Sequence, residues 1–281
     1  MRAILAVLWN EAEAPAILAQ AVAMARRDRG HVVGLFVRPS VETYIPGGDF
    51  GLALSQDYLN RIQREGRDRS VRLRSLFEAY VRDAGAALDR PEDGGFTAEW
   101  LDAEGSAPSL LGSIGRLYDL IVLARPDLSA GAEGEILMEA ALFETGSPVL
   151  MVPPLPHPPA SGRMVVAWNG STETARAVHF GLPLLKRAQS VLVVSVSSGL
   201  VAGPSAAEVA RYLVRHDIPA ISRHVETDAN AGEAFLAEAA KFDAELMIKG
   251  AFTQSRLRQL IFGGATLHIL NHATLPILFA H

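Results

Sequence analysis

The sequence predicts an α/β protein made of two tandem, doubly wound units, and three observations carry that expectation. First, Trp9-Asn10 returns as Trp168-Asn169 and the run His31 to Val37 returns as Ser190 to Val196, both 159 residues further on. A repeat at fixed offset, holding two apolar runs joined by a helical segment of constant length, reads as duplication of one small α/β unit. Second, Pro153, Pro154, Pro156, Pro158 and Pro159 interrupt the middle of the chain. Proline cannot continue a ladder, and a proline-rich run forms an extended, semi-rigid spacer. Third, the apolar runs are short, continuous and rich in branched residues, which suits parallel strands buried on both faces. The units are therefore set at 1–152 and 163–281, with a linker at 153–162.

In chain order, Ala3 to Trp9 and Val32 to Val37 read as strands, with an Ala-rich helix over 14–29 between them. Residues 39–52 hold turn formers and apolar side chains, a lid, an interface or plain packing, and precede a long charged amphipathic helix running to about Leu88. A strand at Phe96 to Leu101, a helix at Ser106 to Leu117, the strand Leu120 to Ala124, a helix through Leu137 to Phe143 and the strand Val149 to Val152 give the first unit five strands. The second unit repeats the order, with strands at Met164 to Trp168, Val191 to Val196, Ile221 to Val225, Leu246 to Lys249 and Pro276 to Ala280. Its helices fall at 172–187, 205–215, 231–242 and 265–271. The long helix of the first unit has no full counterpart there.

Two units of this length can each bury a core. A formal charge of −5 and no evident basic patch point away from nucleic acid and anionic membranes. The chain has no cysteine, which excludes disulfides, thiol nucleophiles and Cys-ligated metals and fits a reducing cytoplasm. No apolar stretch is long enough for a spanning helix or a signal-peptide core, so a cytoplasmic protein is expected.

The strand Pro276 to Ala280 would leave an apolar sheet edge open. Pairing it with its repeat partner Pro148 to Val152 about a pseudo-two-fold axis would bury both edges and make the chain a covalent pseudo-dimer. A homodimer and an unidentified protein partner are further assemblies left open.

Ligands of doubly wound sheets bind beyond the carboxyl ends of the strands, where strand order reverses. There the second unit reads Met247-Ile-Lys-Gly250, Ala-Phe-Thr253, nine residues, then Gly263-Gly264-Ala265-Thr266 at the start of the last helix. Glycines allow close backbone approach to an anion, and a helix start offers free amides and a favourable dipole. The plainer reading is a tight turn and a flexible helix start.

Gly250-x2-Thr253-x9-Gly263-Gly264 resembles the Gly-x2-Gly-x9-Gly-Ser/Thr signature of ATP-binding universal stress proteins of the UspA type. Val-Ala-Trp-Asn-Gly-Ser171 is similar to that family's first strand and turn, and Pro276-Ile-Leu-Phe to its closing strand; both halves fit the tandem form. The resemblance implies a Rossmann-like, adenine nucleotide alpha hydrolase-like sheet of five parallel strands in order 3-2-1-4-5 in each half. It also implies a stress-response role, ATP or AMP as candidate ligands of the second half, and no defined catalysed reaction.

The chain departs from the family pattern at several positions. Asn169 stands where binders usually have Asp, which removes a hard anionic ligand and should weaken or abolish Mg²⁺ dependence. Thr253 replaces a glycine and resists positive φ. Gly264 lacks the signature hydroxyl, which Thr266 could supply. Lys249 could add positive charge beside a phosphate or simply snorkel from a strand end. Ser255 and Arg256 could reach phosphate oxygens, and Arg256 and Arg258 could equally solvate the loop. The candidate contact set is thus Asn169, Lys249, Gly250, Thr253, Ser255, Gly263, Gly264, Ala265 and Thr266. In the first half the matching stretch from Ala124 to Glu135 lacks the strand-end glycine and carries Pro126, Asp127, Glu133 and Glu135, so a degenerate, nucleotide-free site is expected.

His268 and His272 have zinc-compatible spacing but no evident third ligand, and ordinary helix positions explain them. No Gly-x-Ser-x-Gly elbow, P-loop or pyrophosphatase-type loop occurs, so no enzyme and no metal site is expected. Two readings remain, a nucleotide-responsive stress protein and a ligand-free pseudo-dimeric interaction module. A small-molecule or lipid-like ligand beneath the apolar residues 41–54 ranks third.

Overall fold

Apolar runs without alternation need a sheet covered on both faces, and they take that place in the computed structural model, which describes residues 1–38, 56–88, 95–126, 133–154, 162–251 and 264–281. The first half runs β1 (Ala3–Val7), α1 (Ala14–Asp28), β2 (His31–Arg38), α2 (Gln56–Asp83), β3 (Ala87–Leu88), β4 (Thr97–Glu104), α3 (Ala107–Ile114), β5 (Leu120–Ala124), α4 (Glu133–Glu144) and β6 (Val149–Val152). The second runs β7 (Arg163–Ala167), α5 (Thr172–Leu185), β8 (Ser190–Val196), α6 (Ala206–Val214), β9 (Ala220–Val225), α7 (Ala231–Lys241), β10 (Leu246–Gly250), α8 (Gly264–His272) and β11 (Ile277–Ala280).

The strand order across the sheet is β3-β4-β2-β1-β5-β6-β11-β10-β7-β8-β9. Apart from the short β3, each half thus arranges its strands as third, second, first, fourth, fifth, and pairing within each half is parallel. The halves join where β6 and β11 pair antiparallel, with Ile277 opposite Met151, Leu278 opposite Leu150 and Phe279 opposite Val149. All six side chains at this seam are at most 2% exposed, so it is built like the interior of either half. Polar contacts flank the seam: Arg187 Nη2 lies 2.8 Å from Asp28 Oδ1, and Arg125 donates to the carbonyl of Ala273.

Local chemistry sets the element ends. Ser171 caps α5 by accepting from the Thr174 amide, Ser205 and Glu208 form a reciprocal capping box on α6, and Asn230 accepts from the Gly232 amide to open α7. Helix α1 starts with proline in its first turn and ends at Arg29 in the left-handed region. The next residue must be glycine, because a Cβ on Gly30 would lie 2.3 Å from the Arg2 carbonyl oxygen.

Two sequence expectations for the first half are corrected. The long helix stops at Asp83 instead of about Leu88, since Gly85 takes φ +80 and turns the chain. The residues after that turn form β3, an extra edge strand of two residues that is too short to show any periodicity. The loop read at 39–54 and most of the proline run lie outside the described residues. Among the described residues no helix is long and apolar enough to cross a membrane.

Candidate functional site

In the second half β7 pairs with β8 on one side and β10 on the other, so strand order reverses between β7 and β10. The crevice beyond their carboxyl ends is where this fold places ligands. The turn after β7 supplies one wall. Asn169 Oδ1 accepts from the Ser171 amide at 3.1 Å and from Thr174 Oγ1 at 2.6 Å. Gly170, at φ +87, lies so close to the following loop that a Cβ would sit 2.5 Å from the Val201 carbonyl oxygen. That loop is tied back by the Val201 amide donating to the Asn169 carbonyl at 2.9 Å and by Trp168 Nε1 donating to the Pro204 carbonyl at 2.7 Å.

The end of β10 supplies the floor. A Cβ on Gly250 would lie 2.4 Å from the Thr174 amide nitrogen and 2.7 Å from its hydroxyl, so only glycine lets the strand end press against the first turn of α5. Lys249, one residue earlier, is buried, which corrects the snorkelling alternative. Its Nζ donates to the Gly250 carbonyl and to Thr266 Oγ1, each at 2.9 Å. Burial pushes this ammonium down to about 8, and among the described residues no carboxylate offsets the effect.

The third side is the start of α8. Asn230 Nδ2 donates to the Gly264 carbonyl at 3.2 Å, and a Cβ on Gly232 would lie 2.5 Å from the Ala265 carbonyl oxygen, so α7 and α8 meet at their amino ends. Thr266 is buried; its hydroxyl accepts from Lys249 and keeps its own hydrogen to donate. The structure therefore brings Asn169, Lys249, Gly250, Gly264, Ala265 and Thr266 around one crevice. Thr253, Ser255 and Gly263, with Arg256 and Arg258, lie outside the described residues. Sequence reasoning missed Thr174, which couples Asn169 to Gly250, and Asn230, which pins α8. The first is visible only as the third residue after the cap Ser171, and the second reads as an ordinary helix cap.

The first half keeps an asparagine, Asn10, where Asn169 stands, but differs at the end of the fourth strand and at the start of the last helix. Leu123, buried and fully apolar, stands where Lys249 stands, and Glu133 and Glu135 occupy the first turn of α4. Pro126 packs against Gly134, where a Cβ would lie 3.2 Å from the proline ring and 3.7 Å from Trp9. His268 and His272 stack with ring centroids 4.2 Å apart, and His272 Nδ1 lies 2.8 Å from the His268 carbonyl. No group of three potential metal ligands occurs among the described residues.

The model of the Universal stress protein family matches residues 161–281. Over these residues the chain is similar to the universal stress protein family. A universal stress protein from Archaeoglobus fulgidus DSM 4304 has the same fold over both halves, with 15% identity, a TM-score of 0.69, and coverage of 99% of this chain and 95% of that one. A functionally unknown protein from Pseudomonas aeruginosa PAO1 is similar at 15% identity and a TM-score of 0.59, covering 100% and 92% of the two chains. These likenesses span the whole chain and show that both halves share this fold. No curated protein matches the sequence. All described residues of the candidate crevice fall inside the matched residues 161–281.

Proposed function

We propose that this protein acts in a stress response and that its second half binds an adenine nucleotide, ATP or AMP, with the phosphates over Gly250 and the amino end of α8. The buried ammonium of Lys249, which meets no carboxylate among the described residues, carries the reading. An uncompensated cation beside a helix start is an unfavourable arrangement for an empty fold and a favourable one for an anion. Thr266 supplies a hydroxyl, and Lys249 supplies charge that Mg²⁺ would otherwise bring. Asn169 is neutral and its Oδ1 is engaged by Ser171 and Thr174, so metal contributes little. The ligand would bias the surface shown to a protein partner rather than undergo a reaction. We infer a cytoplasmic protein in which the halves act as a pseudo-dimer through β6 and β11.

A second reading, a ligand-free interaction module, draws on Gly250, whose close approach is already filled by α5, and on Glu173 in the same turn, which keeps a buried carboxylate oxygen without a partner. Isothermal titration of ATP and AMP, with and without Mg²⁺, separates the two. Micromolar binding that Lys249→Met abolishes, with little effect of Mg²⁺, supports the nucleotide reading; no heat at millimolar ligand supports the module.

A further inference from the structure

The first half lacks the lysine and the strand-end glycine of the crevice, yet it reaches Ala251 through His281 and touches the carboxyl end of α8 directly. Arg125 and Ala251 are equivalent across the repeat. Each directly follows the fourth strand, and each donates its amide to the last residue of the fifth, Arg125 to Val152 at 2.8 Å and Ala251 to Ala280 at 2.7 Å. At this shared position the second half has an alanine, whereas the first half places a guanidinium that crosses the seam and donates to the carbonyl of Ala273, just past the end of α8. A cation at a helix carboxyl end complements the exposed carbonyls and the dipole. A second bridge runs from Phe143 of α4, whose ring meets His281 edge-on with centroids 4.6 Å apart, while His281 Nδ1 lies 3.1 Å from the Ala251 carbonyl.

From these contacts we infer that Arg125 and Phe143 are positioning residues, through which the first half sets the order and ligand affinity of a site it does not contain. Helix α8 has nine residues, too few to hold its shape without anchoring. Asn230 and Lys249 anchor its amino end, and Arg125 anchors the other. Without Arg125 the last turn frays, and the amides at the first turn lose their fixed direction. The role of the degenerate half is then structural support in trans, delivered within one chain. The ligand part of this inference rests on the nucleotide reading above.

The test uses the full chain with Arg125→Ala, Phe143→Ala, Arg125→Lys and, as a control, Arg187→Ala. Arg187 also crosses the seam, to Asp28, but follows α5 at the opposite end of the strands from the crevice. Amide hydrogen exchange is read without ligand over 264–273 and at Ala251, and ATP affinity is read by titration. Arg125→Ala should lower α8 protection by about tenfold and weaken ATP binding by a similar factor. Phe143→Ala should act mainly at Ala251, Arg125→Lys should restore part of the loss, and Arg187→Ala should change neither. Unchanged α8 protection in Arg125→Ala, or an equal fall in Arg187→Ala, overturns the inference. A wild type that binds no ATP defeats the nucleotide reading alone, because exchange still decides whether Arg125 orders α8.

Discussion

Lys249 Nζ and Thr266 Oγ1 stand 2.9 Å apart, and this bond joins the end of β10 to the first turn of α8 across the chain segment between them. The lysine is buried and has no carboxylate partner among the described residues, so its charge opposes folding. Its folded value lies near 8, below the ordinary 10.5, and below pH 8 both folded and unfolded chains carry the proton and the full penalty applies. Between pH 8 and 10.5 the unfolded chain holds more protons than the folded one, so stability gains from Lys249 as pH rises through that window. Lys249→Met, similar in length and uncharged, should therefore stabilise the protein at pH 7 by up to about 3 kcal/mol. Urea melts at pH 7 and near pH 10 should show the gain shrinking with pH; a loss of stability in the variant would mean that the two hydrogen bonds outweigh desolvation.

Gly250 owes its identity to Thr174 rather than to an open cradle alone. Gly250→Ala should force β10 from α5 and destabilise by about 1–3 kcal/mol. Thr174→Val removes the donor to Asn169 and should cost about 1 kcal/mol, since a half-buried acceptor loses one partner. Because both residues share the same contact, the double variant should cost less than the sum. Denaturant melts of the three variants and wild type give the coupling; strict additivity would show that the contact is not shared.

Strand identity was legible where strands such as β1, β5, β6, β7, β8 and β11 are continuous apolar runs, less so for the mixed β4 and β9, and the fixed offset between Trp9 and Trp168 exposed the duplication without any structure. What escaped the sequence was contact between distant segments. Ala87 and Leu88 become a strand only because β4 is already beside them. Lys249 reads equally as a surface or an interior residue, since one lysine in a strand of Leu-Met-Ile-Lys-Gly has no periodic signature; the packing of α8 over it decides. Arg125 looked like part of a degenerate loop, and its partner Ala273 is 148 residues away in the chain.

Asn169 tests the metal side of the proposed function. Its Oδ1 accepts two hydrogen bonds from Ser171 and Thr174, and a carboxylate can accept both in the same geometry. Asn169→Asp should therefore fold normally and gain a second anionic oxygen toward the crevice. In titrations with ATP, Mg²⁺ should strengthen binding to Asn169→Asp while leaving wild type little changed. Equal Mg²⁺ responses in the two proteins would place the metal, if used at all, away from this turn.

The seam predicts what happens when the covalent link is cut. Met151, Leu150 and Val149 face Ile277, Leu278 and Phe279 in antiparallel register, and each strand alone would present a dry apolar edge to water. The seam is strengthened by Arg187 on Asp28 and by Arg125 on Ala273, neither of which needs chain continuity. A protease site inserted within 155–161 and cleaved after folding should leave two fragments that co-elute at the size of the intact chain. Adding Leu278→Lys buries an unpaired charge against Leu150 and should cost several kcal/mol at the seam. The cut variant should then separate or precipitate, whereas the uncut variant, held at high effective concentration, should retain much of the pairing. Cleaved wild-type fragments that elute apart and stay soluble would show that the strand pair does not hold the halves together by itself.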